Sequence, residues 1–315
     1  MTWFTWRQHR AEAAAIGAVL AVLGAVALIT GIPMYDAYHQ QGVAGCHEAG
    51  DTTDACARLI DAFRSEFAGL PMQAAGQLNF LPVLVAVLIG APLLAREYER
   101  GTWQLAWTQA VPRTRWVVST LALVLSGVAA AAIALSVVLG WWLRPVVTSA
   151  FSVERFNYTA PVLAGYFLLA MAVGILAGAV IRRIIPAMAV ALAVFLPTRL
   201  FVEFWLRPRY MTPTTTVDPA PGTGTLTEEI RNGNNWVLDS FLVGPNGNRL
   251  TDADEFHLFG GGLVDDATLA QHGLRQAVSY HPASRFWDFQ LIETGIFLGL
   301  ALVLVLLAIW RVRRW

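Results

Sequence analysis

The chain has 315 residues, of which 56% are hydrophobic and only 14% are charged, whereas roughly 25% of an average soluble domain is charged. Its 22 acidic residues balance 22 basic residues, all of them arginine, so no basic surface indicates a nucleic-acid partner and no lysine is present for a phosphate-binding P-loop. Such a chain cannot cover its apolar surface in water, which excludes a soluble globular protein.

Six apolar segments are long enough to cross the hydrocarbon core of a bilayer, which takes roughly 20 residues of helix. The first is too long for a signal peptide, and five more follow it. An even number of spans puts both termini on one side, where the arginines cluster beside the spans, and the positive-inside rule assigns that side to the cytoplasm. The sequence therefore predicts an all-α integral membrane protein with six transmembrane helices and cytoplasmic termini. The spans are expected within residues 13–35, 67–95, 116–143, 156–181, 184–206 and 289–310.

The tryptophans support these boundaries, because their rings favour the headgroup zone and most of them lie at a predicted span end. Trp3 and Trp6, together with Arg7 and Arg10, lie at the predicted inner surface. The resulting divisions are an N-terminal segment over 1–12, spans 1 to 5 over 13–206, an outer insertion over 207–287, and the last span with a basic cytoplasmic tail over 288–315.

The outer loop over residues 35–70 contains both cysteines of the chain, Cys46 and Cys56. An oxidising exterior favours a disulfide across this short loop, worth roughly 2–3 kcal/mol of stability. The alternatives are two free thiols or a weak metal site with His47, although too few ligands lie nearby for a structural zinc. We predict the disulfide and no metal site.

The inner loop over residues 96–115 has the features of a contact surface. Thr102 can cap a short helix that ends before Pro112, and Trp103 and Trp107 share one face of that helix. Charged residues flank the helix at both ends. It either docks into a groove of a partner or anchors the loop in the membrane interface, and both interpretations stay open.

Small residues in span 4 allow another helix to come close. Gly174 and Gly178 form a GxxxG pattern, which lets two helix backbones approach each other. The partner is either another span of the same subunit or a second subunit.

Charged residues inside the predicted spans indicate a polar site. Arg199 and Glu203 lie four residues apart on span 5, and Glu293 lies near the outer end of span 6. An arginine at the bilayer centre costs roughly 2.5–3.5 kcal/mol on insertion scales, so a paired, inward-facing arrangement is expected. The functional interpretation is a polar site in a substrate path, and the alternative is a structural ion pair that reaches the outer interface.

The insertion over residues 207–287 is the one soluble-looking region. Its Pro/Thr/Gly-rich beginning, residues 211–227, indicates a loop. Residues 236–243 indicate a strand, and the Asn-Gly turn after them is typical of a hairpin. Residues 267–272 indicate a short helix that Gly273 stops. Acidic residues over 252–257 lack the pattern of a calcium loop and indicate a solvated face. We predict a small extracellular α+β insertion before the last helix.

The inner loop resembles the cytoplasmic loop of ABC-2 type transporter permeases. In that family an acid-rich segment leads into Glu-Arg-Gly-Thr, a short helix, a proline and a basic residue. The matching residues here are Glu99-Arg100-Gly101-Thr102 and Pro112-Arg113. Residues 3–10 are similar to the interfacial helix that precedes the first span in the family. The insertion differs from the short re-entrant helices that family members often have at this place.

The resemblance implies the permease subunit of an ATP-driven ABC exporter in the plasma membrane, rather than an enzyme. Two six-span subunits, as a homodimer or heterodimer, would form the pathway above separate ATPase subunits that bind ATP and Mg, with no cofactor in this chain. The nearly uncharged spans suggest a hydrophobic or amphipathic substrate such as a drug, antibiotic or lipid. The implied ATPase-coupling residues are Glu97, Glu99, Arg100, Gly101, Thr102, Trp103, Trp107, Pro112 and Arg113, and the implied interfacial residues are Trp3, Trp6, Arg7 and Arg10.

Two other classes of function compete with this interpretation. The chain could be a non-transporting membrane sensor or scaffold, with an extracellular insertion that binds a ligand and an inner loop that recruits a regulator. An intramembrane enzyme is disfavoured, because the spans contain no histidine cluster, HExxH, GxSxG or suitably spaced carboxylate pair.

Overall fold

The computed structural model describes residues 2–49, 53–99, 113–147, 149–222, 225–259 and 266–314. Within these ranges, six helical segments are long and apolar enough to cross a membrane, as the sequence predicts. We call the bundle end where span 1 begins and span 6 ends the termini face, and the opposite end the insertion face. Spans 1 to 6 are Ala13–Gln40, Gly69–Glu99, Val117–Leu143, Ala160–Ile181, Ile184–Arg209 and Ala283–Arg313.

Span 1 is part of one continuous helix, Thr2–Gln40. No break separates the predicted N-terminal segment from the span, so its position along the membrane surface stays a prediction. The side chain of Arg10 is exposed, whereas those of Trp3, Trp6 and Arg7 lie outside the described part of the chain.

Span 4 is the centre of the bundle and packs against spans 2, 3, 5 and 6. Of the most apolar 18-residue stretch of span 4, 72% is buried inside the bundle, compared with 11% of the corresponding stretch of span 1. Gly174 and Gly178 face span 2, where a methyl group on Gly174 would overlap the carbonyl of Ala86, and one on Gly178 that of Ala91. The GxxxG pattern is therefore used inside this subunit.

Spans 2 and 5 both depart from regular α-helix along their length. Span 2 breaks at Asn79 and Phe80, and both spans contain a π-helical turn, a feature found frequently at functional sites. Span 2 consists of Gly69–Leu78, Leu81–Val85, the π turn Ala86–Gly90, and Ala91–Glu99; span 5 consists of Ile184–Phe201, the π turn Val202–Leu206, and the 3₁₀ turn Arg207–Arg209.

The remaining helices of the bundle flank the spans. The predicted disulfide between Cys46 and Cys56 is present, with Cα atoms 5.7 Å apart, and it joins two short helices after span 1. The hydroxyl of Thr53 caps the second of these helices. The short helices are Val43–Ala49, Asp54–Phe67 and Val153–Asn157, and span 3 belongs to the helix Arg113–Leu143.

The insertion contains a three-stranded antiparallel sheet in the order β1-β3-β2. The strands are β1 Thr214–Val217, β2 Trp236–Val243 and β3 Arg275–His281, and the helices are Leu226–Asn232, Asp252–Phe259 and Asp266–Gln271; a 3₁₀ turn, Ala283–Arg285, leads into the last helix, Phe286–Arg313. The predicted strand over 236–243 is confirmed as β2, and the predicted short helix is present as Asp266–Gln271. Gly273 follows this helix with a φ of +63°.

Two predictions for the insertion are wrong in part. Residues 211–227 are not all loop, because the β-branched run Thr214–Val217 forms β1. The Asn-Gly turn reverses the chain as predicted, and the N–H of Leu250 donates to the carbonyl of Leu242, but the returning segment forms one isolated bridge, between Arg249 and Val243, and no full strand. The hydroxyl of Thr251 accepts from the N–H of Asp254 while the Asp254 carboxylate accepts from the N–H of Thr251. This reciprocal cap starts a helix where a return strand would run.

Candidate functional site

A buried polar network lies between spans 2, 4, 5 and 6, in the half of the bundle near the insertion face. Its charged members come from spans 5 and 6 and balance to zero: two arginines and two glutamates, all nearly inaccessible to solvent. Burial of unpaired charge is costly, so such groups persist when they pair with one another. The members are Asn79, Asn157, Tyr166, Arg199, Glu203, Arg207 and Glu293.

Span 5 supplies three of these side chains at intervals of four residues. Arg199, Glu203 and Arg207 lie along one side of the helix, because residues four apart are neighbours on a helical surface. The π turn Val202–Leu206 changes the angular position of Arg207 around the helix axis relative to Glu203. Local helix geometry thus points all three toward span 4 rather than toward lipid.

The strongest contact in the network is the ion pair between Arg207 and Glu293. The Nε of Arg207 donates to Oε2 of Glu293 at 2.8 Å, and Nη2 donates to Oε1 at 2.7 Å. The hydroxyls of Tyr166 and Tyr210 also donate to this carboxylate, at 2.5 and 3.1 Å. Four donors therefore satisfy Glu293, which is 0% exposed, and the forked geometry is that of a strong, directional pair.

Arg199 makes a different set of contacts. It donates to both the backbone carbonyl and the side-chain oxygen of Asn79, at the break in span 2, where the helix itself leaves carbonyls unsatisfied. Its guanidinium lies 4.5 Å from the ring centre of Tyr166. The Nε of Arg199 is 4.0 Å from Oε2 of Glu203 and has no hydrogen-bond partner among the described residues. Arg199 thus joins span 5 to the broken part of span 2.

Asn157 connects the two halves of the network. Its Nδ2 donates to Oε1 of Glu203 at 3.1 Å, and its Oδ1 accepts from Nη2 of Arg207 at 2.9 Å. The same Nη2 also donates to the hydroxyl of Tyr166 at 2.8 Å. Since Asn157 lies just before span 4, one chain of hydrogen bonds runs from span 2 through spans 5 and 4 to span 6.

The structure brings together the three charged residues that the sequence singled out, Arg199, Glu203 and Glu293. Glu293, however, pairs with Arg207, which the sequence places in the insertion rather than in the polar site. The spacing of Arg199 and Glu203, extended by one further step of four, was a signal for Arg207. The uncharged members Asn79, Asn157 and Tyr166 carry no comparable signal, because only the tertiary fold brings them together.

Above the network, an aromatic cluster attaches the insertion to the bundle. Phe289 of span 6 contacts Trp236 of β2 and His281 of β3, with ring centres 6.1 and 4.8 Å apart. His281 is 0% exposed, and Nε2 contacts the carbonyl oxygen of Pro208 at 3.0 Å. Burial, and secondarily the positive charge of Arg285, lower the pKa of His281 below its usual 6.5. Burial and the carboxylate of Glu293 raise the pKa of Tyr210, which follows span 5.

At the termini face, the described end of the inner loop contacts the start of span 5. Oε1 of Glu99 accepts from the N–H of Ile184 at 2.9 Å, and Arg182 lies 5.5 Å from the ring centre of Tyr98. Glu97 is half-buried. Of the other implied coupling residues, Arg100, Gly101, Thr102, Trp103, Trp107 and Pro112 lie outside the described residues, as does the side chain of Arg113.

A family model described as ABC-2 membrane transporter related matches residues 17–207. The chain belongs to this family. No curated protein and no solved structure matches it. The match confirms the resemblance inferred from the inner loop and covers spans 1 to 5 up to Arg207, leaving out the insertion and span 6. As an ABC-2 family member with six apolar spans, the protein is a multi-pass membrane component of a transport system.

Proposed function

We propose that this chain is the permease subunit of an ATP-driven ABC exporter in the plasma membrane, with its termini in the cytoplasm. A second permease subunit would complete the pathway, a separate ATPase subunit would dock on the inner loop, and a hydrophobic or amphipathic compound would be the substrate. The observation that carries the proposal is the family match over residues 17–207, which contains the inner loop as well as five of the spans.

The contacts at the termini face support a coupling role for the inner loop. A carboxylate that accepts from the first N–H groups of a helix satisfies free donors and interacts favourably with the helix dipole. Glu99 does this for span 5 from the end of span 2. A displacement of the loop would therefore move the ends of spans 2 and 5 together, and the same two spans carry Asn79 and Arg199 at their other ends.

The polar network supports the proposal because its bonds can be exchanged. A transporter alternates between arrangements of its spans, and a ligand shifts this equilibrium only if it binds them unequally. Asn157 is hydrogen-bonded to both Glu203 and Tyr166, and these bonds can be remade with other partners or with water when the spans rearrange. The network would hold spans 2, 4, 5 and 6 in one of these arrangements.

Co-purification tests the proposal directly. Affinity purification of the full chain from the membranes of the cells that produce it is expected to recover an ABC ATPase subunit, identified by mass spectrometry. Replacing Trp103 and Trp107 by alanine is expected to abolish coupled ATP turnover while membrane insertion stays intact. Trp310→Ala is the matched control, because this tryptophan is exposed at the termini face on a different span. Its turnover should equal that of the unmodified chain.

Failure to recover an ATPase with an intact chain would contradict the proposal, as would unchanged turnover in the Trp103/Trp107 double variant. Either result would favour the non-transporting sensor or scaffold. Orientation is tested with the two cysteines. A membrane-impermeant maleimide should label Cys46 and Cys56 in intact cells only after reduction, and labelling that requires opened cells would put the disulfide loop inside.

A further inference from the structure

A cavity of about 710 Å³ opens at the insertion face between the ends of spans 1 and 3 and the start of span 4. This volume lies within the range of roughly 300–1,000 Å³ that is typical of small-molecule sites. The polar network does not line it, although Tyr158, which does, follows Asn157 in the chain. The cavity thus offers a separate place for a ligand at the level where the spans end.

One wall of the cavity is apolar and held in place by the fold. Gly140 and Leu143 of span 3 form part of it, and the ring of Tyr35 of span 1 forms another part. Tyr35 stacks on Trp141 with ring centres 5.1 Å apart and donates its hydroxyl proton to the carbonyl of Trp141 at 2.9 Å. Because these contacts fix Tyr35 in place, no large rearrangement is needed before a ligand binds.

Two arginines at the same cavity give it a positive charge. Of the described residues that line it, Arg144 and Arg155 carry guanidinium groups and Glu154 carries a carboxylate. Among the residues that the structure describes, no carboxylate forms an ion pair with Arg144. Burial, and then the neighbouring Arg144, lower the pKa of Arg155. The two guanidinium groups therefore repel each other, and an anion between them would relieve this repulsion.

We propose that the cavity binds an amphiphilic anion, with its phosphate, sulfate or carboxylate between Arg144 and Arg155 and its apolar part against the wall formed by Gly140 and Leu143. Arg144 directly follows the last residue of span 3, so its charge lies at the headgroup level and the wall lies at the edge of the hydrocarbon. Either an anionic lipid of the bilayer or a soluble amphiphile has this chemistry. Binding requires no ATPase, so it is independent of the proposed transport function.

The test uses the purified full chain in phosphatidylcholine nanodiscs and octyl phosphate as the probe, followed by isothermal titration calorimetry. Saturable binding of octyl phosphate is expected, with much weaker binding of inorganic phosphate because it lacks an apolar part. In a second arm, nanodiscs that also contain phosphatidylglycerol are analysed by native mass spectrometry for lipid retained on the chain. Retained phosphatidylglycerol that octyl phosphate displaces identifies a bilayer lipid as the ligand, and octyl phosphate binding without retained lipid identifies a soluble amphiphile.

Matched variants locate the binding. Arg144→Gln should lower the affinity about tenfold or more, because a charge-assisted hydrogen bond is lost, whereas Arg144→Lys should keep most of it. Arg115→Gln should bind normally, because Arg115 lies near the other end of the helix that Arg144 follows. Gly140→Leu should block binding by filling the cavity, and Gly127→Leu should not, although both glycines have open space around them.

Three results would overturn the proposal. The first is the absence of both saturable octyl phosphate binding and retained phosphatidylglycerol. The second is an equal loss of affinity in Arg144→Gln and Arg115→Gln. The third is unchanged binding in Gly140→Leu, checked in a variant that elutes as a single folded species.

Discussion

Span 4 packs in two different ways along its length. Toward the termini face, Gly174 and Gly178 bring its backbone against Ala86 and Ala91 of span 2. Toward the insertion face, Tyr166 and the preceding Asn157 bind the charged residues of spans 5 and 6. At the glycine contact two helix backbones fit closely together in one arrangement, and no hydrogen-bond partners are exchanged there. At the polar contact the same side chains can form hydrogen bonds with different partners, so several arrangements of the spans are possible. If the spans rearrange during transport, we therefore expect the glycine half of the bundle to act as a fixed pivot and the polar half to act as the adjustable half.

The largest effect is expected from filling the glycine contact. In Gly174→Leu the new side chain would overlap backbone atoms of Ala86 and Ala91, and backbone cannot move aside as a flexible side chain can. We expect loss of most folded protein, measured as the fraction that elutes as a single species in detergent. Gly299→Leu is the matched control on exposed span 6, where a Cβ meets no neighbour within 4 Å. Normal yield of Gly174→Leu would contradict the close backbone contact between spans 2 and 4.

The next largest effect is expected from breaking the buried ion pair. Glu293→Gln leaves the guanidinium of Arg207 buried without its opposite charge, which should cost about 3–5 kcal/mol of unfolding free energy. Adding Arg207→Gln should restore part of this loss, because the unpaired charge disappears. Chemical denaturation in mixed micelles provides the measurement.

The matched control for Glu293→Gln is Glu228→Gln, which breaks the exposed pair with Arg231. Surface ion pairs contribute roughly 0–1 kcal/mol, so this variant should stay close to the unmodified chain. Equal losses in Glu293→Gln and Glu228→Gln would mean that the buried network does not stabilise this arrangement of the spans.

A smaller effect is expected for Arg199, since its partner is mainly the carbonyl and side chain of Asn79. Arg199→Gln should cost about 1–3 kcal/mol, the usual range for a buried polar group left unsatisfied. A double-mutant cycle should show stronger coupling of Arg199 with Asn79 than with Glu203, whose carboxylate is 4.0 Å away. The reverse order would mean that the ion pair on span 5, rather than the bond to span 2, is the main contact.

The charged part of the network was visible in the sequence, because a charge within an apolar run stands out locally. Arg199, Glu203 and Glu293 were found in this way. Arg207 was missed because the apolar run ends at Leu206, so the residue was assigned to the insertion although the helix continues to Arg209. Asn157 and Asn79 lie 78 residues apart in the chain, and no local pattern indicates that they meet.

Other parts of the fold show the same limit. The GxxxG pattern predicted a close helix contact but not its partner, since Gly90 and Ala91 of span 2 have no distinguishing spacing. In the insertion, the turn after Val243 indicated a hairpin, but the competing cap formed by Thr251 and Asp254 decided the conformation. Local signals identify elements reliably here, and tertiary contacts decide which elements pair.

The smallest effect is expected at His281, where the insertion meets the adjustable half of the bundle. Burial lowers the pKa of its imidazole, so the unfolded chain takes up a proton at a higher pH than the folded chain. Its contribution to stability is therefore complete above the unfolded pKa of about 6.5 and is lost as the pH falls through the lower folded pKa. The unmodified chain should lose more thermal stability between pH 7.5 and 5.5 than His281→Gln, whose amide can still donate to the carbonyl of Pro208. The same pH dependence in both proteins would mean that another group titrates, and would leave the attachment of the insertion independent of the charge on this imidazole.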